Sequence, residues 1–249
     1  MIVVKTKDEI ALMKEPCKIA GQTLKLLGEN VKPGLSTLEL DKIAADFIKS
    51  KGAKASFLDY NGFPAHCCIS INCQVIHGIP SKNVIIEDGD IVSIDIGAFK
   101  NGFHGDCAQT FCVGNVSERA KKLVEVTRQS FFEGIKYARE GARLGDIGAA
   151  VSEYVESHGF SAVKEFVGHG VGYNLHEDPA VPNYGSFGKG VRLEQGMTLA
   201  VEPMINEGGC DIKVLSDGWT VETADGSLSA HFEHTIAITN GAPLLLTEV

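Results

Sequence analysis

Apolar and polar positions alternate along this chain with two different periods. Leu40, Ile43, Ala44, Phe47 and Ile48 recur at helical spacing. The run stops at Gly52, so segment 34–52 predicts an amphipathic helix with a glycine end. The same pattern returns at 141–159, offset by 107 residues: Gly34 aligns with Gly141, Leu40 with Ile147, Phe47 with Tyr154 and Gly52 with Gly159. A second match has the same offset of 107, with Glu87–Asp95 lying against Glu194–Glu202. Both copies are a glycine turn, then an apolar run that ends in a carboxylate. Third, His104-Gly-Asp106 resembles His231-Phe-Glu233 at offset 127. The extra residues fall within 206–230, where Asp217-Gly218 and Asp225-Gly226 are hairpin turn signals.

Three matches in the same order indicate an internal duplication. Its halves run from roughly 8 to 115 and from roughly 120 to 246 within one catalytic domain, 1–249. Each half reads helix, helix, then antiparallel strands. The predicted class is α+β with pseudo-two-fold symmetry, helices covering one side of a curved antiparallel sheet. No linker rich in Ser, Pro or Gly separates the halves.

Composition narrows the function classes. Net charge is −9, and the one lysine cluster, Lys49, Lys51 and Lys54, reads as a solvated helix end. A nucleic-acid reader needs a basic stripe, so direct nucleic-acid reading is not expected. No apolar run reaches the roughly 18 residues of a membrane span. The N-terminus has no signal-peptide core. A cytoplasmic location without membrane contact is the expectation. The seven cysteines are odd in number and contain no Cys-x-x-Cys, which suits neither a disulfide framework nor a zinc ribbon. Most read as reduced, buried small hydrophobes.

Chemistry shows where carboxylates interrupt apolar strands. Asp95 sits in Ile91-Val-Ser-Ile-Asp-Ile-Gly97, and Asp106, Glu202 and Glu233 repeat the problem. A buried ionised carboxylate is costly unless paired or bound to metal. The duplication places two pairs of them around one pseudo-axis, and bound divalent cations are the simplest remedy. His169 lies in the glycine-rich Phe166-Val-Gly-His-Gly-Val-Gly172, which allows close approach of backbone to a ligand. No Gly-Lys-Ser/Thr follows, so this is not a phosphate-binding loop. His176 follows at Asn-Leu-His-Glu-Asp-Pro, and His77 lies in an apolar context that also suits a plain core or turn residue. His104 and His231 share strand faces with their carboxylates and read as hydrogen-bonding supports for them. Four carboxylates and one imidazole make a hard, oxygen-rich donor set suited to Mn2+, Fe2+ or Co2+.

Asp95, Asp106, His169, Glu202 and Glu233 match, in order and type, the five metal ligands of the pita-bread metallopeptidases. Within that group, residues 166–184, Cys68–Asn72, Val75–Pro80 and Gly102–Thr110 are similar to the signatures of type I methionine aminopeptidases. The resemblance runs from about Ile10 to the C-terminus. It implies the duplicated pita-bread fold and two divalent metal ions. Asp106 and Glu233 would bridge the ions, Asp95 would serve one, and His169 and Glu202 the other. It implies hydrolysis of the first peptide bond of new proteins, with methionine released and a small second residue preferred. His77, His176 and Glu202 would be the catalytic groups. Tyr60, Phe63, Cys68, Leu175 and Trp219, together with His77 and His176, would bind substrate, with Phe57 nearby.

Phe63 stands where familiar bacterial members have tyrosine, Leu175 where they have phenylalanine, and Phe57 where they have a smaller residue. Some members hold a monovalent cation on backbone oxygens near the positions of Asn72, Gln74 and Ser229. Nascent N-termini are the implied partners, with the ribosome a further candidate, and a monomer is expected. Two other readings remain: another peptidase of the same fold, such as an Xaa-Pro enzyme or dipeptidase, and a binding protein on a catalytically dead copy. The chain is short for the first and retains every expected ligand against the second.

Overall fold

The computed structural model describes residues 1–249. The helices are α1 (Lys7–Asn30), α2 (Thr37–Ser50), α3 (Glu118–Ile135) and α4 (Leu144–Ser157). The strands of the first half are β1 (Lys54–Ala55), β2 (Cys68–Ile71), β3 (Gln74–Ile76), β4 (Ile91–Lys100) and β5 (Phe103–Cys112). Those of the second half are β6 (Ser161–Ala162), β7 (Gly168–Gly170), β8 (Glu177–Val181), β9 (Thr198–Val201), β10 (Met204–Asn206), β11 (Ile212–Val214), β12 (Val221–Thr223), β13 (Ser229–Ala237) and β14 (Leu244–Leu245).

The helices begin where capping chemistry dictates. Ser36 caps α2 and Glu39 reaches back to the Ser36 N–H at 2.9 Å, a reciprocal capping box. Thr6 and Glu9 do the same for α1. α2 and α4 are each 14 residues long and start 107 residues apart. The predicted amphipathic helices are therefore present at both copies.

The main sheet runs β1-β4-β5-β13-β9-β7-β8 and every pairing in it is antiparallel. β4 and β5 form a continuous ten-residue hairpin. α1 packs on β4 and β5, and α3 on β13. One core lies between α1, α2 and the first half's strands, built from Leu24, Leu27, Leu40, Ile48, Ile94 and Ile96. Two more lie under α3 and α4, around Phe131, Leu199 and Ile236, and around Leu123, Val151 and Ile205. The α+β architecture, a helix-covered antiparallel sheet with paired halves, is the one the hydrophobic pattern predicts. Gly105 is needed for the helix to approach. A Cβ there would lie 2.6 Å from the Cys17 backbone nitrogen of α1.

A separate three-stranded sheet, β11-β12-β3, joins the β11-β12 hairpin of the 206–230 insertion to β3 of the first half. Its hairpin turns at Asp217-Gly218, as the turn signal predicts. No helix is long and apolar enough to cross a membrane.

Candidate metal centre and apolar cavity

Strand register alone assembles most of the site. Cys68 pairs with Asp95, Asp95 with Ala108, and Ala108 with Glu233. Paired residues on adjacent strands project from one face, so these four form a row across β2, β4, β5 and β13. Asp106 precedes Ala108 by two residues and shares that face. His234 pairs with Val201, and the same register carried one step on brings Glu202 beside Glu233. His169 pairs with Ala200, again on the same side. The glycines flanking His169 let β7 fit between its neighbours. A Cβ on Gly168 would meet Val181 Cβ at 3.1 Å, and one on Gly170 would meet the Asp178 carbonyl carbon at 2.8 Å.

The result is a cluster of acids with almost no protein partners. Ligand atoms of Asp106, His169 and Glu233 all lie within 4.8 Å of one another. His169 Nε2 is 3.5 Å from Glu202 Oε1 and 3.8 Å from Asp106 Oδ2. Asp106 and Glu233 are buried, and the Glu202 side chain is 12% exposed. Asp95 Oδ1, Asp106 Oδ1 and Glu233 Oε1 are buried without any hydrogen-bond partner. Orphaned carboxylate oxygens are rare in protein interiors. No lysine or arginine neutralises this group.

Electrostatics agree with the geometry. Burial raises the Asp95 carboxyl to about 7. Burial, then the charges of Asp95 and Glu202, hold Asp106 well above the usual carboxylate range. Glu202 and Glu233 are raised for the same reason, burial first and neighbouring carboxylates second. Burial, aided by His176, lowers His169 to about 3, so its imidazole is a neutral donor of electron pairs. Its Nδ1 lies 2.9 Å from the Gly170 carbonyl, which leaves Nε2 facing the acids. The donor set therefore fits divalent cations: oxygen-rich, one neutral imidazole, and carboxylates that gain most from a positive charge.

Above this floor is a cavity of about 420 Å³. Every residue expected at the site lines it: Asp95, Asp106, His169, Glu202 and Glu233, then His77 and His176, then Tyr60, Phe63, Cys68, Leu175 and Trp219, with Phe57. Phe57, Phe63, Cys68 and Leu175 are buried and form one apolar cluster, against which Tyr60 and Trp219 pack. Phe63 meets Trp219 edge-on at 5.2 Å. Trp219 is fixed from its hairpin, where Asp217 accepts the N–H groups of Trp219 and Thr220 at 2.9 Å.

His77 has φ of 60° and stands edge-on to Phe166 and Trp219. Burial lowers it to about 4. His176 sits at the mouth with its ring 4.2 Å from that of His169, and burial lowers its pKa as well. Its Nδ1 lies 2.8 Å from Tyr60 Oη. Burial and the Asp106 charge raise the Tyr60 phenol.

Two histidines depart from their expected role in different ways. His231 is buried beside the acids, with Nε2 3.7 Å from Glu202 Oε2, but that nitrogen makes no hydrogen bond and so does not give a carboxylate the support the sequence predicts. His104 does not support Asp106. Its Nδ1 bonds Ser56 at 2.9 Å and its ring stacks on Phe99, because the strand carries it past the acids toward segment 53–57. Four cysteines are buried, but Cys112 is exposed. The Asn72 carbonyl accepts the Ser229 N–H at 2.8 Å, while Gln74 Oε1 accepts the Ile71 N–H at 3.0 Å.

Sequence reasoning missed two features. Asn61 lines the cavity, but Asn61-Gly62 reads as an ordinary turn. A buried ion pair joins Lys5 to Glu177, the residue after His176, with the two side chains 1% and 4% exposed. A lysine seven residues before Leu12 carries no signal of burial.

The profile described as "Metallopeptidase family M24" matches residues 11–240. The chain belongs to metallopeptidase family M24. Among relatives of this M24 chain, a methionine aminopeptidase of Clostridium perfringens is 55% identical, with 99% of each chain covered. A methionine aminopeptidase crystal structure from Thermotoga maritima superposes with a TM-score of 0.98 at 44% identity, covering 100% of both chains. Prolidase from Pyrococcus furiosus shares the fold at a TM-score of 0.81 and 24% identity, but the match covers only 66% of that chain.

Proposed function

We propose that this M24 chain is a methionine aminopeptidase, a hydrolase that removes the N-terminal methionine of newly made proteins. The observation that carries this reading is the junction of two unlike surfaces. A floor of four buried carboxylates and His169 meets an apolar pocket of Phe57, Tyr60, Phe63, Cys68, Leu175 and Trp219. A long, unbranched thioether suits such a pocket.

Asp95, Asp106, His169, Glu202 and Glu233 would hold two divalent ions. When bound, the ions supply Lewis acidity and lower the pKa of water at the floor. The chain's own groups do the rest. Glu202, at the edge of the floor, takes a proton from the attacking water on a carboxylate oxygen and returns it to the leaving amine, while the water oxygen stays on the methionine carboxyl carbon. His176 donates from its ring to the oxygen of the first peptide carbonyl, where charge develops. His77 contacts the scissile amide or the residue after it. The α-amine of the substrate faces the acidic floor, so only a free N-terminus is well placed. A small second residue is preferred, as the resemblance to methionine aminopeptidases implies.

Nascent or recently completed chains are the partners, and the protein acts as a monomer. Mn2+, Fe2+ and Co2+ all suit the donors. A monovalent cation near Asn72, Gln74 and Ser229 would stabilise the turn at the edge of the insertion.

The test is a peptide panel beginning Met-Ala, Met-Lys, Leu-Ala, Ala-Pro and N-formyl-Met-Ala, read by mass spectrometry with each divalent ion. Loss of methionine from Met-Ala alone supports the reading. Cleavage before proline would move the chain to the Xaa-Pro branch of its fold. No cleavage by folded, metal-loaded protein would favour a binding role.

A further inference from the structure

The hydroxyl of Tyr60 has a position that a simple pocket wall does not require. Tyr60 Oη lies 2.8 Å from His176 Nδ1, with the ring centroids 5.1 Å apart and the planes tilted by 36°. In a neutral imidazole one nitrogen carries the proton and the other accepts. A phenol O–H is a better donor than its oxygen is an acceptor. A phenol donor at this distance favours the lone pair of His176 on Nδ1 and the proton on Nε2.

The loop makes Tyr60 a fixed support. Asp59 and Asn61, on either side of it, have φ of 64° and 51°, the left-handed region that non-glycine residues rarely adopt. The Tyr60 N–H donates to the Phe57 carbonyl at 2.9 Å, and the Tyr60 carbonyl accepts the Phe63 N–H at 3.0 Å. The Asp59 N–H donates to the Phe63 carbonyl at 2.9 Å, closing the loop. Strained backbone held this tightly is found where a side chain must be aimed.

We propose that Tyr60 is a positioning residue: its hydroxyl donates to His176 Nδ1, fixing the tautomer whose Nε2–H points at the scissile carbonyl oxygen. The inference rests on the role given to His176 above. It separates two duties within one side chain. The ring of Tyr60 serves the methionine pocket, and the hydroxyl serves the oxyanion donor.

The experiment pairs Tyr60→Phe with 15N NMR of histidine-labelled, Zn2+-loaded protein, zinc being diamagnetic. In the wild type, His176 Nε2 carries the proton and Nδ1 shows the shift of a hydrogen-bonded acceptor. In Tyr60→Phe the Nδ1 signal moves to its unbonded position. The kcat for a Met-Ala peptide falls about tenfold, the loss expected for one hydrogen bond, while KM stays within about twofold. Tyr60→Leu, which also removes the ring, raises KM in addition. Metal affinity is unchanged in both variants, so a general loss of structure is distinguished. A proton on Nδ1 in the wild type, or a Tyr60→Phe variant with undiminished kcat, overturns the proposal. Should the wild type release no methionine, the NMR arm still decides the tautomer, and the failure belongs to the proposed function.

Discussion

The floor and the wall of the cavity are built by opposite means. The floor is made of long paired strands, in which Asp95, Ala108 and Glu233 are fixed by register and each neighbour holds the next. The wall comes from pieces far apart in sequence: the 57–63 loop, Leu175 between β7 and β8, and Trp219 on a hairpin. The floor is polar in a place where polarity is expensive. The wall is apolar in a place where apolarity is ordinary. A site can thus combine fixed reacting groups with an adjustable specificity surface, and mutations in the two should fail differently.

The largest effect should come from the floor. His169→Ala or Glu202→Gln should lower methionine release at least about 1000-fold, because each removes a group the reaction uses directly. Circular dichroism and thermal melting should show the fold intact. Wild-type turnover in either variant would break the assignment of the floor.

The second effect concerns support behind the wall. Lys5 and Glu177 are a buried pair, so Lys5→Met leaves Glu177 unpaired and should destabilise by about 3–5 kcal/mol. Denaturant unfolding measures this. Replacing both by apolar residues should recover most of the loss, since an unpaired buried charge is the main cost.

The floor also predicts a pH dependence. Asp95, raised to about 7, and the other three acids bind protons in the folded, metal-free protein that the unfolded chain releases near pH 4. Their contribution to stability is therefore present at low pH and lost as pH rises through the folded values. At about pH 7.5 and above, a unit past the ordinary histidine pKa of about 6.5, the lowered His77, His104, His169, His176, His231 and His234 are neutral in both states and add no slope. From about pH 7.5 upward the melting temperature of metal-free protein should fall as the acids held well above the usual carboxylate range lose their protons, and a divalent ion should restore it most where it has fallen furthest. A flat profile would mean that the acids are not held together as described.

The smallest effects belong to the wall. Phe63→Ala should raise KM for a Met-Ala peptide about tenfold with kcat within about threefold, since it removes uniform binding. Cys68→Ala, a minor change in volume, should alter KM by about twofold or less. A larger effect on kcat than on KM would show that wall and floor are not separable.

This contrast also explains what could be read in the sequence. The four acids and His169 are conspicuous because each breaks an apolar or glycine-rich run, and the duplication pairs Asp95 with Glu202 at offset 107 and Asp106 with Glu233 at offset 127. The helices at 37–50 and 144–157 follow from apolar spacing and from the glycine that ends each run, Gly52 and Gly159. The wall is less legible, since an aromatic such as Phe63 or Trp219 looks like any core residue until the chain folds. Resemblance to relatives, rather than periodicity, identified it. His104 shows the limit of face arguments. It shares a strand face with Asp106, yet two residues of a twisted strand take its ring to Ser56. Lys5 and Glu177 lie 172 residues apart, and no local pattern links them.

The central claim is that the carboxylate floor with His169 is a divalent-metal site that drives methionine release. The most direct test strips the protein of metal, confirms that it is folded, and follows methionine release from a Met-Ala peptide as Mn2+ is added. The account predicts no release from stripped protein and a rise that saturates with bound ion, absent in His169→Ala. Full release from metal-free protein, or an unchanged Mn2+ response in His169→Ala, would contradict it.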